Sequence, residues 1–109
     1  MSSSAVFFAE RFWCPLTLSG GVARVSPAGE IDVSTAPTLA CALREAQRNA
    51  DLIVIDLAQV AFMDSSGARM LAAAARSVRE AGGRLVLDAM PAHVERVLRI
   101  VTSPSTFTQ

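Results

Sequence analysis

A length of 109 residues is enough for one compact domain, and we expect a single domain to span residues 1–109. Hydrophobic residues make up 51% of the chain and charged residues 18%, which is ample for a core and argues against an intrinsically disordered protein. Ten acidic and ten basic residues cancel, so the charge balance argues against nucleic acid and against an anionic membrane surface as partners.

The predicted elements begin after a short polar terminus, residues 1–4, which we expect to be disordered. A first strand is predicted around Leu16 to Leu18, followed by a hairpin turn at Gly20-Gly21. The stretch from Val22 to Ile31 is predicted to be the second strand, in which Pro27 marks a weak point or a bulge.

The sequence gives no sign of export or membrane insertion. Glu10 and Arg11 interrupt the apolar opening segment, and a basic start is missing, so a signal peptide is not predicted. The chain also has no uncharged apolar run of about 18 residues, the length that a transmembrane helix needs. We therefore expect a cytoplasmic location.

The first helix is predicted to begin near Ser34 and Thr35, which are N-cap candidates, with Pro37 in its first turn. Its apolar residues recur at helical spacing, at Leu39, Leu43, Ala46 and Ala50. The next run, DLIVIDLAQVAF at 51–62, is nearly continuous in apolar residues, which predicts a strand covered on both faces. Asp56 interrupts it and, if buried, would need hydrogen-bond partners.

Two more helices and one strand complete the predicted domain. The segment ARMLAAAARSVREAGG is predicted to be helical and to end at Gly82-Gly83, and RLVLDA after it is a third core strand. Pro91 opens a last helix, and residues 102–109 form a tail with at most a short strand. The residues predicted to face inward are Met70, Leu71, Ala74 and Val78 in one helix and Val94, Val97, Leu98 and Val101 in the other.

Together these elements predict an α/β fold, with a mixed β-sheet in the order β-β-α-β-α-β-α and helices packed over it. The turns that open the helices should gather at the carboxyl edge of the parallel strands, where α/β folds place their sites. The stretch MDSSG, residues 63–67, would then lie beside Asp32 and His93.

Helix capping explains only part of the DSSG motif at 64–67. Asp64 or Ser65 is suited to accept hydrogen bonds from free amides of the first helical turn, and Gly67 allows a tight entry. A second serine is not needed for capping, which leaves Ser66 over. A phosphate there would be favoured by the helix N-terminus and opposed by Asp64, and it would make a neutral surface anionic.

Two other interpretations of this stretch stay open from the residues alone. Arg69, three residues after Ser66, could pair with a phosphate or an acidic partner, or could simply be solvated. An enzymatic interpretation would use Ser65 or Ser66 as nucleophile and His93 as base. The glycine-flanked elbow of hydrolases is missing, however, and no group orients His93, so we expect no catalytic residue.

The sequence resembles the STAS domain family (sulfate transporter and anti-sigma factor antagonist), particularly the stand-alone bacterial anti-anti-sigma factors. The resemblance rests on GEIDVSTAPTL at 29–39 and LIVIDLAQVAFMDSSG at 52–67, and it covers roughly residues 16–101. It implies a transcriptional regulator without cofactor or metal that binds an anti-sigma factor with serine kinase activity and thereby frees a sigma factor. The kinase would phosphorylate the second serine of DSSG, Ser66 here, with Ser65 as second choice, and a serine phosphatase would restore binding.

The same resemblance implies that Asp32, Asp64 and Ser65 lie with Ser66 on the face that meets the kinase, and we add Arg69 as a partner contact. Arg69 is itself part of a departure, because the family more often has an aliphatic residue after the DSSG glycine. A second departure is the C-terminus TSPSTFTQ, where the family commonly continues with a strand and a helix, so we expect a shortened C-terminus.

Two alternatives concern other parts of the chain. A STAS module can act as a ligand or redox sensor without a kinase cycle, and Cys14 and Cys41, which lack metal-type spacing, are the candidate redox groups. The aromatic N-terminal segment FFAERFW, at 7–13, is more typical of core or edge cover than of a binding surface, but a homodimer contact there stays open.

Overall fold

The computed structural model describes residues 2–107, apart from the side chains at positions 104 and 105. One seven-stranded mixed sheet and three α-helices make up the domain, which confirms the predicted fold class. The elements are β1 (Ser2–Ala9), β2 (Phe12–Ser19), β3 (Val22–Val25), β4 (Ala28–Ile31), α1 (Ala36–Asn49), β5 (Leu52–Asp56), β6 (Val60–Met63), α2 (Ser65–Glu80), β7 (Arg84–Asp88), α3 (Ala92–Val101) and a 3₁₀ turn (Pro104–Phe107).

The stretch 22–31 runs as one line interrupted at Ser26-Pro27. Both halves pair with β2 in the same antiparallel register, and the Ser26 amide donates to the Pro15 carbonyl at 3.0 Å between them. On the other side β5 pairs in parallel with β3, and β6 pairs in parallel with β4. The sheet therefore has two tiers, since the run 52–63 is broken at the same level as 22–31. The lower tier contains β3, β5 and β7, and the upper tier contains β4 and β6. Pro27 marks the break, as predicted.

The prediction that residues 51–62 form a strand covered on both faces is wrong. Ile53 and Ile55 are fully buried, but the alternate residues of β5, Leu52 and Val54, are only half-buried. The helices pack on one face of the sheet, and the other face is more open to solvent. Asp56 lies on that open face, where it pairs with Arg24 (Nη1 to Oδ2, 3.4 Å) and accepts from the Ala58 amide at 3.0 Å.

The N-terminal strand β1 is missing from the sequence-based prediction. It pairs antiparallel with β2 along its whole length, and the two-residue turn Glu10-Arg11 joins them with Arg11 at a φ of 61°. The expectation of disorder is thus wrong for Ser2–Ser4, while Met1 lies outside the described residues. The tail contains a 3₁₀ turn in place of the short strand that we allowed, and residues 108–109 lie outside the described part.

Helix packing follows the predicted apolar faces, except that the buried face of α2 is rotated about the helix axis relative to the prediction. Helix α1 covers β1, β2 and β3, whereas α2 contacts α1, α3, β6 and β7. Because α2 packs on several sides, Ala68, Ala72 and Ala75 are buried, while Met70 and Ala74, predicted to face inward, are half-buried. The helix ends where predicted, with Gly82 at a φ of 89°. No helix within residues 2–107 is long and apolar enough to cross a membrane.

Candidate functional site

Two polar turns meet at the carboxyl end of the upper tier of the sheet. The first, Asp32–Thr35, follows β4, and the second, at Asp64, follows β6. Since β4 and β6 are parallel neighbours with Ile31 opposite Met63, both chains leave the sheet at the same level. The Asp64 amide donates to the Ile31 carbonyl at 3.1 Å, which ties the two turns together. The predicted association of Asp32 with the DSSG motif is confirmed.

The first turn is built around the Asp32 carboxylate. Its Oδ1 accepts from the Ser34 hydroxyl at 2.7 Å, the Ser34 amide at 2.9 Å and the Thr35 amide at 3.1 Å. The Ser34 hydroxyl bond, with the two amide bonds, holds the pKa of Asp32 below its ordinary value despite some desolvation. Asp32 is therefore ionised at neutral pH and presents a fixed negative charge on this edge.

Thr35 stands at the N-cap of α1, as predicted, but its hydroxyl does not cap the helix. The hydroxyl donates to the Glu30 carbonyl at 2.7 Å and accepts from the Asp32 amide at 2.9 Å, and only 5% of Thr35 is exposed. Thr35 thus anchors the turn to the end of β4, and the carboxylate of Asp32 satisfies the free amides that precede the helix.

The second turn begins α2 through Asp64, which resolves the choice between Asp64 and Ser65 as the cap. Asp64 Oδ1 accepts from the Gly67 amide at 3.1 Å. Gly67 is buried where the first turn of α2 meets the end of β4, since a Cβ added there would lie 2.6 Å from Ile31 Cγ2 and 3.0 Å from the Ile31 carbonyl oxygen. A glycine at this position therefore lets the first turn of α2 rest directly on the neighbouring strand.

The two serines of the motif differ in their surroundings. Ser65 is exposed, and its hydroxyl oxygen accepts from Arg69 Nη1 at 3.3 Å. Ser66 is half-buried, and its hydroxyl has no hydrogen-bond partner among residues 2–107. Arg69 is exposed and lies one helical turn along α2, on the same side as Ser65. Asp32, Thr35, Asp64 and Ser65 thus have side-chain hydrogen bonds within the two turns or to Arg69, and the Ser66 hydroxyl has none within residues 2–107.

His93 lies elsewhere, which corrects the expectation that it borders the same edge. Its Nε2 is 3.2 Å from the carbonyl of Val60, the first residue of β6, whereas the serines follow the last residue of that strand. Four residues of strand correspond to roughly 13 Å. The loop after β7 ends at the lower tier because β7 pairs with β5 and not with β6. The structure thus gives neither serine a histidine base.

One exposed apolar residue of the site was not singled out from the sequence. Val33 lies between Asp32 and Ser34 in the first turn, and 73% of it is exposed. The hydrogen bonds from the Ser34 and Thr35 amides to Asp32 fix the backbone of the turn, and the Val33 side chain projects into solvent. The sequence indicates this feature by placing a β-branched apolar residue inside a polar turn, since valine is usually buried.

The cysteines are both free thiols in different surroundings. Cys14 is fully buried in β2, and burial raises the pKa of its thiol to about 12, so it stays protonated and unreactive. Cys41 is exposed on α1, and its sulfur accepts from Arg44 Nη2 at 3.3 Å. No cluster of three His, Cys, Asp or Glu side chains within the described part of the chain could hold a metal ion.

Comparison with known proteins assigns the family. A family model described as "Mlab, STAS domain" matches residues 14–102. The anti-sigma-B factor antagonist of Listeria monocytogenes is 36% identical over 74 residues, which cover 67% of this chain and 65% of that protein, so the match spans slightly less than two thirds of the relative.

Solved structures show the same fold. The crystal structure of an anti-sigma factor antagonist from Mycobacterium paratuberculosis is 27% identical, with a TM-score of 0.70 over 99% of this chain and 84% of that one. The anti-sigma factor antagonist SpoIIAA in its unphosphorylated form is 20% identical, with a TM-score of 0.69 over 80% of this chain and 78% of that one. Its phosphorylated form from Bacillus, also 20% identical, has a TM-score of 0.67 over 80% and 81%. The predicted resemblance is confirmed, and the chain belongs to the STAS domain family.

Proposed function

We propose that this protein is an anti-sigma factor antagonist, which binds an anti-sigma factor with serine kinase activity and so frees a sigma factor. Phosphorylation of Ser66 switches it off, and a serine phosphatase returns it to the binding state. The names of the relatives support the antagonist role, because the Listeria and mycobacterial proteins are both described as anti-sigma factor antagonists. The existence of unphosphorylated and phosphorylated forms of SpoIIAA supports a phosphorylation switch on this fold.

The observation that carries the choice of residue is the unused hydroxyl of Ser66. The side chains of Asp32, Thr35 and Asp64 form hydrogen bonds with backbone groups at the two turns, and the Ser65 hydroxyl accepts a hydrogen bond from Arg69. Ser66 alone in the DSSG motif has no partner in the described structure, so phosphorylation costs no internal hydrogen bond. A kinase would find its acceptor already free on an edge whose backbone is fixed.

Electrostatics explain why a phosphate would end the complex. Ser66 lies in the first turn of α2, where free amides favour an anion, so the fold tolerates the added charge. The phosphate adds about −1.5 to −2 charges beside the carboxylates of Asp32 and Asp64. A partner surface matched to the unmodified edge must then desolvate an unpaired dianion, at a cost of several kcal/mol. Even ~3 kcal/mol weakens binding more than a hundredfold.

The test combines phosphorylation with binding. The protein is incubated with ATP and each anti-sigma kinase of its source, the modified residue is located by mass spectrometry, and complex formation is measured by calorimetry. We expect phosphate on Ser66 and loss of the complex on phosphorylation. Ser66→Ala should bind and resist phosphorylation, whereas Ser66→Asp should bind more weakly.

Ser65→Ala is the matched control, because it changes the neighbouring hydroxyl and leaves the unbonded one in place. It should still be phosphorylated at Ser66 by the same kinase. A kinase that binds the protein but modifies Ser65 would move the switch by one residue. Binding of Ser66→Ala and Ser66→Asp with equal affinity would remove the charge mechanism altogether.

The ligand-sensing alternative has one observation in its favour. A cavity of about 560 Å³, within the usual range for small-molecule sites, opens between β7, the C-terminal half of α3 and the 3₁₀ turn, with Val86, Leu87 and Leu98 in its apolar lining. A ligand bound there would raise the unfolding temperature, and Met90→Arg at the lining should abolish that rise while Ile100→Arg on exposed α3 should not. The redox version would depend on Cys41, since the Cys14 thiol is protonated.

A further inference from the structure

The outer side of β1 carries an unpaired row of backbone groups. Within residues 2–107, β1 pairs only with β2, in an uninterrupted antiparallel register from Ser2 opposite Ser19 to Ala9 opposite Phe12. Eight residues is long for an edge strand, and natural sheets commonly shorten, bend or charge such edges to prevent pairing with another chain.

The direction of these groups follows from Pro15. Its carbonyl accepts from Ser26 and therefore points away from β1, and backbone groups along a strand point alternately to its two sides. Pro15 and Val6, which lie opposite each other, consequently form a non-hydrogen-bonded pair. The amide and carbonyl of Val6 point to the open side, and so do those of the residues two positions away along β1, Ser4 and Phe8.

The sequence of β1 contains none of the features that block pairing at an edge. Residues 2–9, SSSAVFFA, include no charge, proline or glycine. The edge strands on the far side of the sheet differ, because β6 has only four residues and β7 has five and begins and ends with the charged residues Arg84 and Asp88. Val6 and Phe8 add exposed apolar surface, since 41% of Val6 and 63% of Phe8 are accessible to solvent.

The composition of the strand favours a second copy of itself as the occupant. Its first half consists of small residues, and its second half contains the larger Val6, Phe7 and Phe8 before Ala9. Antiparallel pairing about a two-fold axis at Val6 places Phe7 opposite Ala5 and Phe8 opposite Ser4 of the other copy, so that each phenylalanine faces a small residue. The same register brings the outward backbone groups of Val6 against those of its copy, and no charges oppose each other.

We propose that two copies of this chain associate through β1, antiparallel and centred on Val6, into one continuous sheet. The contact is isologous, as closed two-fold dimers require. Strands β2 and β4 separate β1 from β6, so the Asp32 and Ser66 turns stay free in both copies. An eight-residue strand is about 26 Å long, which gives an interface at the small end of specific contacts. We therefore expect a reversible dimer that dissociates on dilution.

Sedimentation velocity from low micromolar to millimolar protein tests the association. The weight-average mass should rise from that of one chain towards twice that value. Val6→Pro removes only an amide that points outward, so this variant should unfold at the parent's temperature and remain monomeric at every concentration. Val6→Lys should also be monomeric, whereas the matched change Ile100→Lys, at a residue 82% exposed on α3, should dimerise like the parent.

Crosslinking tests the register. Val6→Cys, in a Cys41→Ser background, should form a disulfide-linked dimer on mild oxidation, because facing hydrogen-bonded residues lie ~5.5 Å apart between Cα atoms. Ala5→Cys should crosslink poorly, since it faces Phe7 of the other copy. A parent that stays monomeric at millimolar concentration overturns the proposal, and a dimer that persists unchanged in Val6→Pro overturns its location at β1.

Discussion

Gly67→Ala should destabilise this domain, although alanine is the better helix former. Gly67 is the third residue of α2 and lies against the end of β4. In a free helix the change would stabilise by up to ~1 kcal/mol. Here the new methyl group would lie 2.6 Å from Ile31 Cγ2, 3.0 Å from the Ile31 oxygen and 3.1 Å from Met63 Cγ. Since a backbone oxygen is among these contacts, a side-chain rotation cannot relieve them all.

The expected magnitude is the difference between these two effects. Overpacking a buried site costs about 1–3 kcal/mol, and the gain in helix propensity offsets part of it. We expect a net loss of up to about 2 kcal/mol in the free energy of unfolding. For a domain of this size that corresponds to a fall of up to roughly 16 °C in the unfolding temperature.

Urea unfolding followed by circular dichroism measures this loss, with an unchanged m-value as the condition for comparing midpoints. Ala73→Gly, at an exposed position within the same helix, calibrates propensity alone and should cost about 1 kcal/mol. If Gly67→Ala were as stable as the parent or more stable, close packing of α2 on β4 would not be what requires glycine, and the reasoning would fail.

Three further predictions concern single side chains. Because the pKa of Asp32 is lowered in the folded state, its ionised form stabilises the fold above the unfolded pKa of about 3.9, and this contribution is lost as pH falls through the lower folded pKa. The parent should therefore resist urea better than Asp32→Asn at neutral pH and lose this advantage in acid. An advantage that did not change with pH would contradict a stabilising role of the ionised carboxylate. Thr35→Val should cost about 1–3 kcal/mol in urea unfolding, because the Glu30 carbonyl and the Asp32 amide lose their partner, whereas Thr35→Ser should resemble the parent. Iodoacetamide should alkylate Cys41 in the folded protein and spare Cys14, whose pKa is raised to about 12, as mass spectrometry of the intact chain would show; equal labelling of both would contradict the burial of Cys14.

Features closed by short-range hydrogen bonds were predictable from the residues. Asp64 caps α2 through an amide three residues away, and the helix ends where Gly82-Gly83 predicted. The break at Pro27 was also anticipated, since proline lacks an amide for the sheet. The prediction lacks strand β1 because Glu10-Arg11 interrupts an apolar run in the sequence, whereas in the structure these two residues are the turn of a hairpin. Whether such a segment forms a strand depends on the strand with which it pairs, and the local sequence pattern does not reveal that partner.

The site was only partly predictable for the same reason. The motif identified Ser66 as the serine that capping does not need, and its role as phosphate acceptor stays a prediction. That its hydroxyl is unbonded depends on where Arg69 and the Asp32 turn lie. His93 was placed on the wrong tier because sequence order does not reveal that β7 pairs with β5 and β6 with β4.

The amino-acid sequence by itself determined the α/β class, the positions of the three helices and the polar character of the DSSG turn, because periodicity and capping act over a few residues. Tertiary structure decided which polar turns meet, which serine remains unbonded, why position 67 has no room for a side chain and which strand edge stays open. These properties depend on strand register, and register is set by contacts between residues far apart in the chain.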